Sequence, residues 1–351
     1  MPQKRAWSYI YHLDGRSEPN ESQPASDCFY SLNVILGLAH AGNDAWQATY
    51  DLPALLHFNA RQLRMLTVKP YVLGMALWAS AALKEPLQDD VVSYISAAIT
   101  DRRKWKNFSA QDAGMILTGL CEQKRSGFLN DDTVAPELLK FILRYYHSSS
   151  SLFHNNAGGL RRNYASFASQ AYLLHALYAY GETHDNKQAL KIADDGTKRM
   201  LRHQGEDGNW PWFYHAPSGN VVDRYELYSV HQHGMGTLFL YPAIERNIEG
   251  ASEALDNGFA WLFGNNILRQ DMLAPQTGMI LRSIARSNEL NKRYPRFMRA
   301  KRNRLLGQMP EPKAETLTLR RECRSYELGW LLYGFANSDR THITHHIAFG
   351  S

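Results

Sequence analysis

Two kinds of helical pattern alternate along the chain. In the first kind, apolar and small residues occupy nearly every position, which is typical of a helix buried on all sides. Stretches of this kind predict inner helices over residues 29–40, 70–83, 110–122, 164–180, 228–244 and 323–336. In the second kind, apolar residues recur every three or four positions beside a charged face. Stretches of this kind predict half-exposed helices over residues 52–66, 88–104, 136–146, 187–203 and 252–263.

The alternation predicts an all-α fold, an (α/α)6 toroid in which an outer ring of helices surrounds an inner ring. The first three inner stretches begin about 41 residues apart, a spacing typical of two-helix repeats. An open solenoid of helix pairs has the same local pattern and is the structural alternative. Long insertions and aromatic-rich loops favour the closed ring.

The same pattern predicts how the chain is organised. We expect an N-terminal arm over residues 1–26, a single toroid domain over residues 27–340 and a flexible polar tail over residues 341–351. Within the domain, the widest gap between inner helices indicates an insertion at about residues 270–318.

Composition places the chain among folded proteins with a large core. Of 351 residues, 44% are hydrophobic and 21% are charged. The three cysteines lie far apart and form no Cys-x-x-Cys pair, which favours a reducing compartment. The chain begins without the apolar run of a signal peptide, and no stretch approaches about 18 apolar residues. We therefore expect a cytoplasmic protein without a membrane span.

Positive charge is concentrated in one segment. The net charge is +5, and nine Lys or Arg residues lie between Arg282 and Arg304 against one acid, Glu289. The segment is interpreted either as a solvated basic surface or as a site for an anionic partner. Nucleic acid is not expected, because no nucleic-acid-binding module surrounds the segment.

The loop between two predicted helices at residues 204–228 is rich in aromatic residues and turns. It begins Gln-Gly-Glu-Asp-Gly-Asn-Trp, continues as an aromatic hairpin and leads into the inner helix that carries Tyr-Glu-Leu-Tyr. Loops that join outer to inner helices lie at one mouth of a ring, where side chains converge on a ligand.

This loop resembles known families of toroids. The segment from Gln204 to Trp210 resembles the Gln–Trp motif of terpenoid cyclases and protein prenyltransferases, in which these residues brace adjoining helices. The longer pattern resembles the carbohydrate-active toroids of unsaturated glucuronyl hydrolases and glucuronyl C5-epimerases. The resemblance implies the toroid fold. The chain lacks the Asp-x-Asp-Asp acid motif of class II terpene cyclases and the Asp-x-Cys zinc motif of prenyltransferases, so neither activity is carried over.

Acidic residues at the predicted mouth are candidates for proton transfer. Glu226 and Glu327 occupy equivalent Tyr-Glu-Leu sequences near the starts of two inner helices. A pair of carboxylates suits general acid–base chemistry on a glycosidic bond, although acidic residues also cap helix N-termini. Asp223 is expected as a carboxylate at the rim. Tyr228 and His231 complete the predicted catalytic set, and core hydrogen bonding is the alternative for His231.

The remaining candidates would bind substrate, with aromatic rings as platforms and polar groups holding charge. They are Trp210, Trp212, Tyr214, Tyr225, Tyr326, Arg162, Asn163, Arg324 and His233. The sequence therefore predicts a carbohydrate-active enzyme, a hydrolase, lyase or epimerase, that acts on an acidic polysaccharide or oligosaccharide. The alternatives are a terpene-cyclase-like toroid for an isoprenoid and a non-catalytic ligand-binding or scaffold toroid. No cofactor and no metal are expected.

Overall fold

A computed structural model describes residues 5–42, 49–129, 132–289 and 293–336. The predicted tail at residues 341–351 lies outside these ranges. Within them the helices are α1 (Pro24–Ala41), α2 (Leu52–Gln62), α3 (Pro70–Leu83), α4 (Asp89–Thr100), α5 (Ala110–Arg125), α6 (Val134–Tyr145), α7 (Phe167–Thr183), α8 (Lys187–Leu201), α9 (Thr237–Glu245), α10 (Ala251–Ala260), α11 (Arg293–Leu306) and α12 (Ser325–Phe335).

The inner helices α1, α3, α5, α7, α9 and α12 form a closed ring. Each contacts the next, a turn of π-helix (His231–Met235) ahead of α9 contacts α12, and α12 contacts α1. The contacts between α1 and α12 rule out the open solenoid. At that seam a Cβ atom on Gly37 would collide with the carbonyl group of Gly329, so the two helices meet backbone to backbone.

The outer helices α2, α4, α6, α8 and α10 confirm the predicted one-sided pattern. On α4, for example, only Val91, Ile95 and Ile99 are buried, at the spacing of a single helical stripe. The inner helix α3 is instead buried from Val72 to Ala81 without interruption. The alternation of apolar patterns in the sequence therefore corresponds to the two layers of the ring.

Short strands occupy the loops at one end of the ring. They are β1 (Ile10–His12), β2 (Asn20–Glu21), β3 (Tyr164–Ser166), β4 (Phe213–His215), β5 (Asn220–Asp223), β6 (Leu227–Tyr228), β7 (Leu273–Ala274), β8 (Met279–Ile280), β9 (Ser283–Arg286), β10 (Leu317–Arg320) and β11 (Glu322–Cys323). They pair as β11-β1-β2, β10-β9-β6, β3-β4-β5 and β7-β8. Strands of two to four residues leave no periodic signal, so the sequence pattern did not predict them.

Two parts of the chain are added to the helical ring. The N-terminal arm docks through β1, which pairs with β11, and through the backbone N–H of Trp7, which donates to Ser31 Oγ at 2.8 Å. Between α10 and α12 the chain forms β7 to β11 and α11, a stretch that overlaps the expected insertion. Within the described ranges, every helix is too short or too polar to span a membrane.

Candidate functional site

A cavity of about 500 Å³ opens at the N-terminal ends of the inner helices. We call it the central cavity, and its volume lies within the usual range for ligand sites. Its aromatic lining is Phe29, Tyr30, Tyr71, Tyr164, Tyr172, Trp212, Phe213, Tyr228 and Tyr326. Three arginines, Arg161, Arg282 and Arg296, also line it, and its described lining includes no Asp or Glu. Helix N-termini carry partial positive charge, so helix ends and side chains together make the cavity attractive to an anion.

Local capping fixes the helix starts around the cavity. Ser109 caps α5, and the Asp112 carboxylate accepts from the Ser109 backbone N–H at 2.8 Å, which completes a capping box. The other oxygen of Asp112 accepts from the backbone N–H of Tyr71 at 2.9 Å. Asp112 thereby joins the starts of α3 and α5 and holds Tyr71 at the cavity wall.

Stacked rings form two walls of the cavity. The ring of Trp212 lies parallel to that of His231, with centroids 5.4 Å apart. The neighbouring helices α1 and α12 contribute Tyr30 and Tyr326, whose ring centroids lie 4.6 Å apart in a stacked arrangement. Flat apolar surfaces of this kind suit the faces of sugar rings.

Tyr228 carries a polar network at its hydroxyl group. Its Oη donates to Glu226 Oε2 at 3.3 Å and accepts from Arg296 Nη1 at 3.3 Å. Glu226 itself is 3% exposed, lies 2.9 Å from Arg296 and 3.2 Å from Arg320, and accepts from Ser283 Oγ. The carboxylate of Glu226 therefore lies behind Tyr228, compensated by two guanidinium groups.

Arg282 presents an open polar edge at the cavity. Its Nη1 bonds to Glu322, and its guanidinium lies 5.1 Å from the centre of the Tyr228 ring. Burial opposes ionisation of Glu322, but the charges of Arg282 and Arg324 lower its pKa to about 2. Arg282 Nε is buried and has no hydrogen-bond partner in the described part of the chain. Such an N–H is costly to bury and marks a position for an acceptor.

The basic segment 282–304 turns much of its charge inward. Arg286 and Arg299 both bind the fully buried carboxylate of Asp223, at 3.2 and 2.8 Å. Arg282 and Arg296 of the same segment line the central cavity. The interpretation of the segment as a solvated surface alone is therefore wrong. The prediction of Asp223 as a carboxylate at the rim is also wrong. Its side chain is fully buried, does not line the cavity, and is neutralised by the two arginines that it holds together.

The two histidines of the π-helical turn have different surroundings. His231 lines the central cavity, and burial, with help from the Arg282 charge, lowers its pKa to about 3. His233 is fully buried, burial lowers its pKa to about 3, and neither ring nitrogen has a hydrogen-bond partner among the described residues. His231 is therefore neutral at pH 7 and faces the ligand space, whereas His233 faces the core, which removes it from the predicted binding set.

Glu327 is buried away from the cavity. It is 0% exposed, and its two oxygens have no hydrogen-bond partner within the described ranges. Burial raises its pKa well above 4.5, even though the charges of Arg282 and Arg324 act in the opposite direction. Neither Glu226 nor Glu327 lines the central cavity, so they do not form the predicted pair of facing carboxylates.

Several predicted binding residues lie outside the cavity lining. Tyr228, His231, Trp212 and Tyr326 line it, whereas the remaining predicted residues are core or neighbouring side chains: Trp210, Tyr214, Tyr225, Arg162, Asn163 and Arg324. Trp210 and Tyr214 are fully buried and expose no ring face to a ligand. The Trp210 backbone N–H donates to Gln232 at 2.6 Å, and Gln204 Nε2 donates to the carbonyl oxygen of Ala254 on α10 at 2.8 Å. The Gln–Trp segment thus braces helices.

Sequence reasoning missed some cavity residues. Arg161 lines the cavity in place of its predicted neighbour Arg162. Tyr71 occupies the second position of α3. Because α3 is apolar along its whole length, its sequence does not show which of its ends faces the cavity. Arg282 and Arg296 belonged to a recognised charge run, but the sequence did not show that they reach the cavity.

The described part of the chain contains no set of side chains that could bind a metal ion. No three His, Cys, Asp or Glu side chains converge there as a bound ion would require. The polar groups of the cavity are chiefly arginines and phenols, which suit anions better than cations.

Comparison with solved structures defines the class of fold. The chain resembles an unsaturated glucuronyl hydrolase of Bacillus sp. GL1, responsible for the degradation of glycosaminoglycan, with a TM-score of 0.56 and 11% identity over 95% of this chain and 90% of that one. It also resembles a glycosyl hydrolase family 88 protein of Bacteroides vulgatus, with a TM-score of 0.54 and 11% identity over 90% of this chain and 91% of that one. No family model and no curated protein sequence matches the chain. The structural likeness establishes the fold as a six-hairpin α/α toroid.

Proposed function

We propose that this protein is an enzyme that binds an acidic oligosaccharide in the central cavity and transfers a proton at the carbon next to a sugar carboxylate. The observation that carries the proposal is a cavity lined by three arginines and stacked aromatic rings, with no carboxylate among its described lining residues. The structural neighbours support a sugar as ligand, and the arginines support an anionic one. An uncharged isoprenoid fits this lining poorly, because it offers no partner for buried guanidinium groups.

The arginines suit a uronate carboxylate. Arg282 Nε is a buried donor without a partner among the described residues, and Arg296 and Arg161 add positive charge on the lining. When these groups neutralise the carboxylate, the proton on the adjacent C5 becomes easier to remove, because the developing negative charge is stabilised. Binding and activation then depend on the same charges.

Tyr228 is the proposed proton-transfer residue. Its side chain lines the central cavity, Arg296 donates to its hydroxyl oxygen, and the guanidinium of Arg282 lies over its ring. Glu226 accepts the hydrogen bond of Tyr228 from behind and orients the phenol. His231, neutral and stacked on Trp212, is the second group that can accept or return a proton.

The geometry favours a lyase or epimerase over a hydrolase. Glycosidases ordinarily place two carboxyl groups on either side of the scissile bond. Here Glu226 is buried in ion pairs and Glu327 is fully buried. In elimination, C5 loses its proton, the C4–O bond breaks, a C4–C5 double bond forms, and the leaving oxygen gains a proton. In epimerisation, a proton returns to C5 from the other face.

The test is incubation with a panel of acidic polysaccharides: chondroitin, heparan-type chains, alginate and polygalacturonate. Ultraviolet absorbance detects an unsaturated product, and deuterium uptake at C5 from heavy water detects epimerisation. Reducing ends without unsaturation would mean hydrolysis and would overturn the proposed chemistry. Absence of all three signals and of binding would overturn the acidic-sugar assignment itself.

Tyr228→Phe identifies the residue. We expect it to lower kcat by about 10²–10⁴-fold, the usual contribution of a general acid or base, without loss of folding. Tyr94→Phe on the outer helix α4 is the matched control, since it removes the same atom from a half-exposed ring remote from the cavity. Equal activity of Tyr228→Phe and wild type would remove Tyr228 from the mechanism.

A further inference from the structure

A second pocket adjoins the central cavity. It has a volume of about 650 Å³ and lies between the N-terminal arm and the strands β10 and β11. We call it the side pocket. Its lining combines basic and polar residues with three acids: Tyr9, His12, Arg16, Arg320, Arg321, Arg324, Asp14, Glu21 and Glu322. None of these residues lines the central cavity.

The two compartments share a wall of side chains. Arg320, on the side pocket, binds Glu226 at 3.2 Å, directly behind Tyr228. Glu322, also on the side pocket, binds Arg282 of the central cavity. The ring of Tyr9 stacks at 5.5 Å on Tyr30, which lines the central cavity. The side pocket and the central cavity are therefore neighbours, separated by these paired side chains.

Arg324 supplies a buried donor to the side pocket. Its side chain is 5% exposed, its Nε and Nη2 donate to Glu322 Oε1 at 3.1 and 2.9 Å, and its guanidinium lies 3.9 Å from the Tyr9 ring centre. The third nitrogen, Nη1, is buried without a hydrogen-bond partner in the described ranges. An unsatisfied buried N–H of a charged group is costly unless an acceptor reaches it.

Arg321 supplies a second charge at the same place. It is exposed, lines the side pocket, and forms no ion pair with any acid of the described residues. The other arginines of the pocket have acidic partners, since Arg16 binds Asp14 at 2.9 Å, Arg320 binds Glu226 at 3.2 Å and Arg324 binds Glu322 at 2.9 Å. Arg321, together with the unbonded Nη1 of Arg324, is therefore the position where an external anion gains most.

We infer that the side pocket is a second anion subsite, which holds another carboxylated or sulfated residue of the oligosaccharide bound in the central cavity. The inference rests on the proposed function and deepens it, because it makes the substrate an oligomer with repeated negative charge. Carboxylate and sulfate present the same acceptor chemistry to arginine.

The experiment is binding calorimetry with the dimer and the tetramer of one uronate, each with and without sulfate groups. The proteins are wild type, Arg321→Gln, Arg324→Lys and, as control, Arg144→Gln on the outer helix α6. We expect wild type to bind the tetramer at least about tenfold more tightly than the dimer, the effect of about one good charged contact. Arg321→Gln should lower tetramer affinity about two- to fivefold, as for an exposed ion pair, and leave dimer affinity unchanged. Arg324→Lys should act in the same direction, and Arg144→Gln should bind as wild type does.

The outcomes separate the two proposals. Equal affinity of wild type for dimer and tetramer, or an equal loss of both in Arg321→Gln, overturns the second subsite while the proposed function stands. No binding of any oligosaccharide overturns the proposed function and the subsite with it. If only the sulfated tetramer binds more tightly than its dimer, the subsite binds sulfate. If the unsulfated tetramer also binds more tightly than its dimer, the subsite binds carboxylate.

Discussion

Glu226 and Glu327 have the same local sequence and opposite electrostatic surroundings. Glu226 is ion-paired with Arg296 and Arg320, whereas Glu327 is fully buried without a hydrogen-bond partner in the described ranges. We therefore predict that the same substitution, Glu to Gln, has opposite effects on stability at the two positions.

For Glu327→Gln the effect follows from its raised pKa. The unfolded chain releases the proton above the ordinary pKa of 4.5, while the folded chain retains it. Folding then becomes less favourable as pH rises, by about 1.4 kcal/mol per pH unit for as long as the folded group stays protonated. The total cost therefore grows with the distance between the ordinary pKa and the raised one, and glutamine, which does not titrate, removes it.

For Glu226→Gln the effect follows from the lost charge. The variant leaves two arginine side chains, each about 10% exposed or less, without their carboxylate. Breaking a buried ion pair by removing one partner costs about 3–5 kcal/mol. Because Gln retains hydrogen-bonding capacity, we expect the lower end of that range.

The assay is urea unfolding of wild type and both variants at pH 4, 5, 6, 7 and 8, with circular dichroism as the signal. Glu327→Gln should match wild type near pH 4 and become progressively more stable than wild type as pH rises. A difference that does not change with pH, or a Glu327→Gln protein less stable than wild type at pH 8, would refute a protonated Glu327.

Three further predictions concern the ring seam and the cavity. Gly37→Ala should destabilise the fold by about 1–3 kcal/mol or more, because its Cβ meets the Gly329 backbone, whereas Gly158→Ala, in open space, should be neutral in the same urea assay. His231→Gln should reduce the loss of stability in acid. Between pH 6.5 and 3 His231 binds a proton only in the unfolded chain, so the free energy of unfolding of wild type falls by about 2 kcal/mol from pH 7 to 5 through this group. If the free energy of unfolding of the variant fell as steeply with pH as that of wild type, this reasoning would be wrong. Arg282→Gln should raise the KM for an acidic oligosaccharide about 10- to 100-fold, and an unchanged KM in steady-state kinetics would exclude Arg282 as a carboxylate ligand.

The ring of helices could be predicted because the burial of each helix determines the spacing of apolar residues in its sequence. Stretches apolar on all faces became α1, α3, α5, α7, α9 and α12, and α3 matches its predicted bounds of 70–83. Three inner helices begin later than predicted, because strands or a π-helical turn occupy their first residues. Residues 164–166 form β3, residues 227–228 form β6, and residues 322–323 form β11.

The chemistry of the site was less predictable because it depends on pairing between distant residues. Arg296 and Arg299 reach Glu226 and Asp223 from 70 and 76 residues away, a relation that no local pattern records. The same limit explains Glu327, whose sequence repeats that of Glu226 while its surroundings do not. Within the aromatic loop, the sequence could not distinguish Trp212, which lines the cavity, from Trp210, which is buried.

The closure of the ring by its first and last helices affects how the protein is made. Ser325 Oγ donates to the carbonyl oxygen of Ser8, 317 positions earlier, and α12 packs along α1. During synthesis the apolar surface of α1 that packs against α12 therefore stays exposed to solvent until almost the whole described chain has left the ribosome. Contacts so distant in sequence form slowly, and uncovered apolar flanks promote aggregation. We expect ribosome-bound chains truncated before α12 to recruit chaperones that the finished ring no longer needs.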